Sequence, residues 1–334
     1  MNKVIHYDKA DFVDMVSVTS REMGLREAVV EKDFWVCAVL DYLFHRCPWK
    51  DAFTFKGGTS LSKVYGLIKR FSEDIDIILD WRVVGYGMEE PWQDRSKSKQ
   101  DKFNKEANAK TEIFLRDKLL PRITNDLKSE IGDDIECLIR EDDPQTIIIR
   151  YPRLYSEAAI LPEIRLEIGA LAAWSPARES RITPYLAEYL PEQFEQPSTV
   201  IRTVLPERSF WEKATILHHE ANRPPDSKMP TRYARHYYDV YCIGHSDYKS
   251  LAFSQLDLLE RVVNFKKKFY PRGWARYEDA KPGTIKLTPP DYRMSEVEKD
   301  YLNMRQMFFG DFPAFRELME YIQELESEIN MISR

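Results

Sequence analysis

The chain has 334 residues, 43% of them hydrophobic and 31% charged, with a formal net charge of −6. That composition excludes a disordered, low-hydrophobicity chain, and no run approaches the ~18 apolar residues of a membrane span. The acidic balance excludes a protein that coats nucleic acid indiscriminately, so any RNA or DNA contact is expected in a local patch.

The length predicts two domains. The opening MNKVIHYDKADF has no apolar stretch of the kind a secretory leader needs. Cys37, Cys47, Cys137 and Cys242 are far apart and form no CxxC pair, so a cytoplasmic protein without structural zinc or a disulfide framework is expected.

From Leu25 to Phe44 apolar residues recur at helical spacing. AFTFKG reads as a short strand ending in Gly57-Gly58. Leu61, Tyr65 and Ile68 then predict a helix of two to three turns. Ile75, Ile77 and Leu79 alternate with Asp74 and Asp76, which is strand periodicity. Residues 82–110 read as a charged loop that becomes helical toward Thr111–Leu120. IECLIR, TIIIRYPRL and EIRLEIGA read as strands, and Pro191 to Pro197 as a boundary. Helices are expected beyond it at Glu207–Ala221, Arg232–Ile243, Ser254–Phe269, Ser295–Phe309 and Ala314–Ile332, with the prolines of NRPPDSKMP separating the first two. Strands first and helices afterwards predict an α+β fold: a mixed sheet with flanking helices over residues 1–195, and a helical domain over residues 196–334 that closes the active-site cleft.

On a strand, Asp74 and Asp76 point to the same face. A bare DxD is more often a solvated strand face or a turn, but carboxylate oxygens also suit magnesium, and such a pair can bridge two ions. The preceding strand, Gly57-Gly58-Thr59-Ser60 and helix form an arrangement suited to phosphate. The glycines permit close backbone approach, the helix start presents free N–H groups, Thr59 and Ser60 add hydroxyls, and Lys63 lies one turn in. Together the two features supply what a nucleoside triphosphate needs, an anion cradle and a metal. A third carboxylate is expected from a neighbouring strand, and Glu167 is the candidate; the alternative is an Arg165–Glu167 surface pair. On a helix starting at Arg232, the residues Arg232, Arg235 and Asp239 share one polar face, with Lys213 at the edge of the helix before. They read either as a group orienting a triphosphate or as a salt-bridged surface.

The block GGTSLSKxY followed by SEDIDI resembles the AbiEii/AbiGii nucleotidyltransferase toxins of bacterial two-gene defence and toxin–antitoxin systems, within the DNA polymerase beta-like superfamily. EKDFWV (Glu31–Val36), Lys213 in EKATILHH and RHYYDVYCI around Asp239 extend the resemblance over most of the chain. One departure is Thr59, where the superfamily usually has Ser. The resemblance implies that Lys213 and Asp239 are functional. It also implies transfer of NMP from an NTP, with Mg2+ or Mn2+ in a two-ion site held by Asp74, Asp76 and Glu167, to an RNA acceptor such as a tRNA 3′ end. A neighbouring antitoxin and a role in phage defence come with it. NMP transfer to a protein Ser, Thr or Tyr, and a regulatory nucleotide-binding module without turnover, are the alternatives.

Residues 261–286 combine eight Lys/Arg with Phe265, Phe269, Tyr270, Trp274 and Tyr277. This suits unpaired RNA, or equally a helix with core aromatics and solvated lysines. Arg95, Lys97 and Lys99 are a weaker patch of the same kind. The adjacent His218-His219 do not form a zinc motif. The stripe from Phe315 to Ile332 fits docking on the chain's own bundle or a partner-binding helix.

Overall fold

The computed structural model describes residues 8–72, 74–157, 160–173 and 175–332. The start of the leader reading (residues 1–7) and Glu73 of SEDIDI lie outside the described residues. The chain groups into two compact units, one of residues 1–64 and 72–204, the other of residues 65–71 and 205–334.

The first unit is built on one mixed seven-stranded sheet in the order β3-β4-β5-β2-β1-β7-β6. The strands are β1 (Phe53–Lys56), β2 (Asp74–Leu79), β3 (Glu136–Arg140), β4 (Asp143–Arg150), β5 (Ile164–Gly169), β6 (Ala177–Ile182) and β7 (Thr199–Val204). Strand β2 runs antiparallel to β1 and parallel to β5. The expected α+β class with a mixed sheet is what the chain forms. Alternation decides which way the central strands face. Ile75 and Ile77 of β2 and Ile164, Leu166 and Ile168 of β5 are buried, while Asp74, Asp76, Arg165 and Glu167 are half-buried on the other face. Each such aliphatic side chain contributes roughly 1.5–3 kcal/mol on burial.

Helices α1 (Lys9–Met23), α2 (Glu27–Asp41), α3 (Gly57–Lys63), α4 (Lys97–Phe114), α5 (Leu120–Ile131) and α6 (Tyr185–Tyr189) complete this unit. Helix α2 packs against β5 and β7, α4 against β4, and α5 against β3. Nearly every α2 side chain is buried, including the three charged ones of the EKDFWV run, Glu31, Lys32 and Asp33. Each of those has a partner. Glu31 accepts the N–H groups of Leu154 and Tyr155 at 2.7 and 3.1 Å, Lys32 donates to the Leu161 carbonyl at 3.0 Å, and Asp33 accepts the Tyr185 N–H at the start of α6 at 2.7 Å. The EKDFWV run therefore fastens three loops of the unit, which is why so polar a segment lies in the core.

Several expectations need correction. Helix α3 ends at Lys63, so Tyr65 and Ile68 are not on it; Gly66 follows with φ +61°. Helix α4 begins at Lys97, well before Thr111. Strands β6 and β7 were not anticipated, and β7 follows the Pro191–Pro197 stretch.

The second unit is helical: α7 (Pro206–Ala221), α8 (Arg235–Gly244), α9 (Tyr248–Phe253), α10 (Leu256–Phe269), α11 (Asp291–Asn303) and α12 (Phe315–Met331). Helix α7 is at its centre, packed against α8, α9 and α10. The stripe of α12 (Leu318, Met319, Ile322, Leu325 and Ile329) is buried within this unit, with α12 packed on α8. The segment 65–71, from far upstream, belongs here as well. Lys69 N–H donates to the Tyr238 hydroxyl at 3.1 Å, Phe71 N–H to the Met307 carbonyl at 2.6 Å, and Phe309 N–H to the Lys69 carbonyl at 3.0 Å. Among the described residues no helix is long and apolar enough to cross a membrane.

Candidate active site

Register brings the predicted carboxylates together on the sheet. The Cα of Asp76 lies opposite that of Lys56 on one side and that of Glu167 on the other, and Glu167 in turn lies opposite Thr146. Residues directly opposite one another in a sheet share a face, so Asp76 and Glu167 are neighbours on the surface where Asp74 also emerges. Burial first, and then repulsion from Asp76 and Asp74, push the Glu167 carboxyl up to about 7, against the pull of Arg165.

The glycine turn meets this face directly. Gly57 has φ +86°, and a Cβ there would stand 1.8 Å from Asp76 Oδ2. Only glycine satisfies both the backbone conformation and the contact. Thr59 Oγ1 donates to the Asp74 carbonyl at 2.5 Å, and Ser60 Oγ to the Gly57 carbonyl at 2.8 Å. The hydroxyls expected at a phosphate are thus committed to backbone, where they fasten the turn to β2. Lys63 also differs from expectation. Its ammonium pairs with Asp33 at 2.8 Å and lies 3.6 Å from the centre of the Tyr185 ring, with its side chain buried. Burial opposes the charge, but Asp33 outweighs it and holds the ammonium above its ordinary range.

Gly57→Ala is accordingly expected to cost about 1–2 kcal/mol for the left-handed backbone alone and to drive the Asp76 carboxylate aside. A thermal melt read beside an activity assay checks this: activity should fall much further than stability.

All candidate donors are carboxylate oxygens, the chemistry a hard divalent cation takes, and a bound positive charge would relieve the repulsion felt by Glu167. In kind and in strand placement the set fits. The side chains as they stand are not gathered: among the described residues no group of three or more His, Cys, Asp or Glu is arranged to hold a metal ion. Arg165 is in their midst. Its guanidinium is 2.7 Å from Asp143 Oδ2, 3.4 Å from Asp74 Oδ1 and 3.9 Å from Glu167 Oε1.

The profile of the family described as "Nucleotidyl transferase AbiEii toxin, Type IV TA system" matches residues 40–321. The chain belongs to the AbiEii nucleotidyltransferase toxin family. As an AbiEii protein it is a nucleotidyltransferase toxin of a type IV toxin–antitoxin system, with an NTP as substrate and an antitoxin as partner. Among solved structures it is similar to MenT4, a nucleotidyltransferase toxin from Mycobacterium tuberculosis. The identity is 14% and the TM-score 0.48, with 94% of this chain and 98% of that chain covered. No curated protein matches the sequence.

The other elements of the AbiEii pattern fall in the second unit. Asp239 on α8 is fully buried. It accepts from Arg70 Nε at 2.7 Å and Arg70 Nη2 at 2.8 Å, and pairs with Lys213 Nζ at 2.7 Å. Sequence reasoning missed Arg70, because nothing local distinguishes it and its partner is 169 positions away. Arg235 opens α8, but Arg232 precedes the helix. It has φ 60°, and its N–H donates to Asp300 at 2.7 Å, so it does not share a helix face with Asp239. In the basic–aromatic stretch Phe265, Phe269 and Tyr277 are core residues, while Tyr270 is 52% exposed. Arg95 donates to the carbonyls of Glu90, Pro91 and Gln93 and lies over the Phe103 ring. His218 and His219 hold backbone and tyrosine partners inside the second unit.

Proposed function

We propose that this AbiEii toxin moves a nucleoside monophosphate from an NTP to a hydroxyl of an RNA acceptor, the 3′ end of a tRNA. The new acceptor O–P bond forms as the bond to the β-phosphate breaks and pyrophosphate leaves. The supporting observation is the meeting of Asp76, Glu167 and Gly57 on one sheet face, with no room for a side chain at the glycine. In this reading the Gly57-Gly58 backbone admits the triphosphate, and Thr59 and Ser60 keep the turn against β2. Asp74, Asp76 and Glu167 would hold magnesium or manganese, which supplies charge neutralisation at the phosphates and a more acidic acceptor hydroxyl. Glu167 completes the set and takes the proton of the attacking hydroxyl. Lys213, Arg235 and Arg232 serve nucleotide orientation, with Asp239 as the residue that positions Lys213. The protein would act in the cytoplasm, where uncharged tRNA ends are available, and in phage defence.

The test uses each of the four labelled NTPs in turn, with purified tRNA and with whole-cell extract. Label is expected on tRNA, in the presence of magnesium and not after chelation. Label confined to a protein band would overturn the RNA acceptor, and no transfer to either would overturn turnover itself.

A further inference from the structure

The carboxylate face carries more negative charge than the three proposed ligands alone. Asp143, at the start of β4, adds a fourth carboxylate, fixed from its other side by the Thr146 hydroxyl at 2.9 Å. Arg165 is hydrogen-bonded to Asp143 at 2.7 Å, while its approaches to Asp74 and Glu167 are longer, at 3.4 and 3.9 Å. Its backbone is fixed on β5, with Asp74 opposite on β2 and Ile148 opposite on β4. The guanidinium is therefore anchored by an acid outside the ligand set and leans over two acids inside it.

We propose that Arg165 is a counter-cation built into this face, which competes with divalent metal for Asp74 and Glu167 and so sets the metal affinity of the site. The inference rests on the reading that Asp74, Asp76 and Glu167 hold the metal. Four carboxylates folded onto adjacent strands repel one another, and a fixed guanidinium offsets that repulsion. The same positive charge repels an incoming divalent ion, and engages two of the oxygens that the ion needs. Asp143 gives the guanidinium a partner to keep when the metal arrives. Arg165 is thus a positioning residue that trades metal affinity for a stable carboxylate face.

The measurement is Mn2+ binding to the purified full-length chain without nucleotide, followed by the paramagnetic resonance of free Mn2+. Arg165→Gln is expected to bind Mn2+ on the order of tenfold more tightly, the scale of Coulomb repulsion between a single and a double charge about 6 Å apart when water screens them fully. Arg165→Lys keeps the charge and should stay near wild type, which a purely structural role for the guanidinium would not produce. Unchanged or weaker binding in Arg165→Gln overturns the proposal. Should that variant not fold, Asp143→Asn carries the test: Arg165, freed from its anchor, engages Asp74 and Glu167 more closely and binding weakens, and unchanged or tighter binding overturns the proposal. If Asp76→Ala binds Mn2+ as wild type does, the metal reading itself has failed, an outcome separate from any result at Arg165.

Discussion

Asp76→Ala is expected to abolish nucleotide transfer and toxicity while leaving the fold as stable as before, or more so. Asp76 stands at the centre of the proposed site, with the Cα of Glu167 opposite and the Gly57 backbone against its carboxylate. Removing one charged group that stabilises developing charge costs on the order of a hundredfold in rate or more. The effect on stability has the other sign. The Asp76 charge is one of the causes that lift the Glu167 carboxyl, so its loss relieves repulsion on the sheet face. Labelled-NTP incorporation and a thermal melt on the same preparation check both halves. Wild-type incorporation would remove Asp76 from the mechanism, and a large drop in melting temperature would make it a structural residue.

The second large effect is expected at Asp239→Asn, and it is an effect on stability. The carboxylate is fully buried between Arg70 and Lys213, themselves nearly buried. Taking away the central anion leaves two cations in the interior without their counter-charge, which costs about 3–5 kcal/mol. The readout is the denaturant midpoint of the second unit, with the slope of the transition unchanged. The pH dependence has a definite sign. Burial opposes ionisation, but Arg70 first and Lys213 next overcome it and hold the Asp239 carboxyl well below its ordinary range. A depressed folded-state pKa contributes stability that is complete above the ordinary carboxylate range and is lost progressively as pH falls from that range through the depressed folded value. The gap between wild type and variant should therefore be flat through neutral pH and narrow only in acid. A gap that narrows between pH 6 and 8 would contradict this account.

How much of this was legible in the sequence differs from element to element. Strands β2 and β5 could be read because one face is buried and the other carries acids, and that contrast prints a period of two on the sequence. Strand β6 could not, since ARESRI buries only Ser180 and Ile182 near its end. TVIRTV of β7 alternates, but the prolines before it suggested a boundary rather than a strand. Helix α4 looked like a loop because its inward positions are partly polar: Gln100 donates to Asn104 at 2.8 Å where apolar residues would have printed a stripe. At the site, the acids and the glycine turn stand out in the sequence, but the partners of Lys63, Thr59 and Ser60 do not. Their side chains are consumed by partners that spacing cannot disclose, Asp33 being 30 residues away. Arg165 was visible only as a neighbour of Glu167. Its contact with Asp143 depends on the order of the strands, and no local pattern contains that order.

The strap of residues 65–71 sets a timetable for synthesis. It leaves the ribosome directly after the glycine turn and directly before the aspartate strand, yet Arg70 must wait for a partner 169 residues further along. At ~5–20 residues per second, that delay is roughly ten seconds or more. Throughout it, the segment tethering the two halves of the proposed triphosphate site has none of the contacts that fix it in the finished protein. A chain that stops short of α8 would carry the glycines, Asp74, Asp76 and Glu167 intact, with the tether between them unsecured. An abortive or prematurely cleaved toxin is thus expected to be a poor one, although every residue of its carboxylate face has already been made.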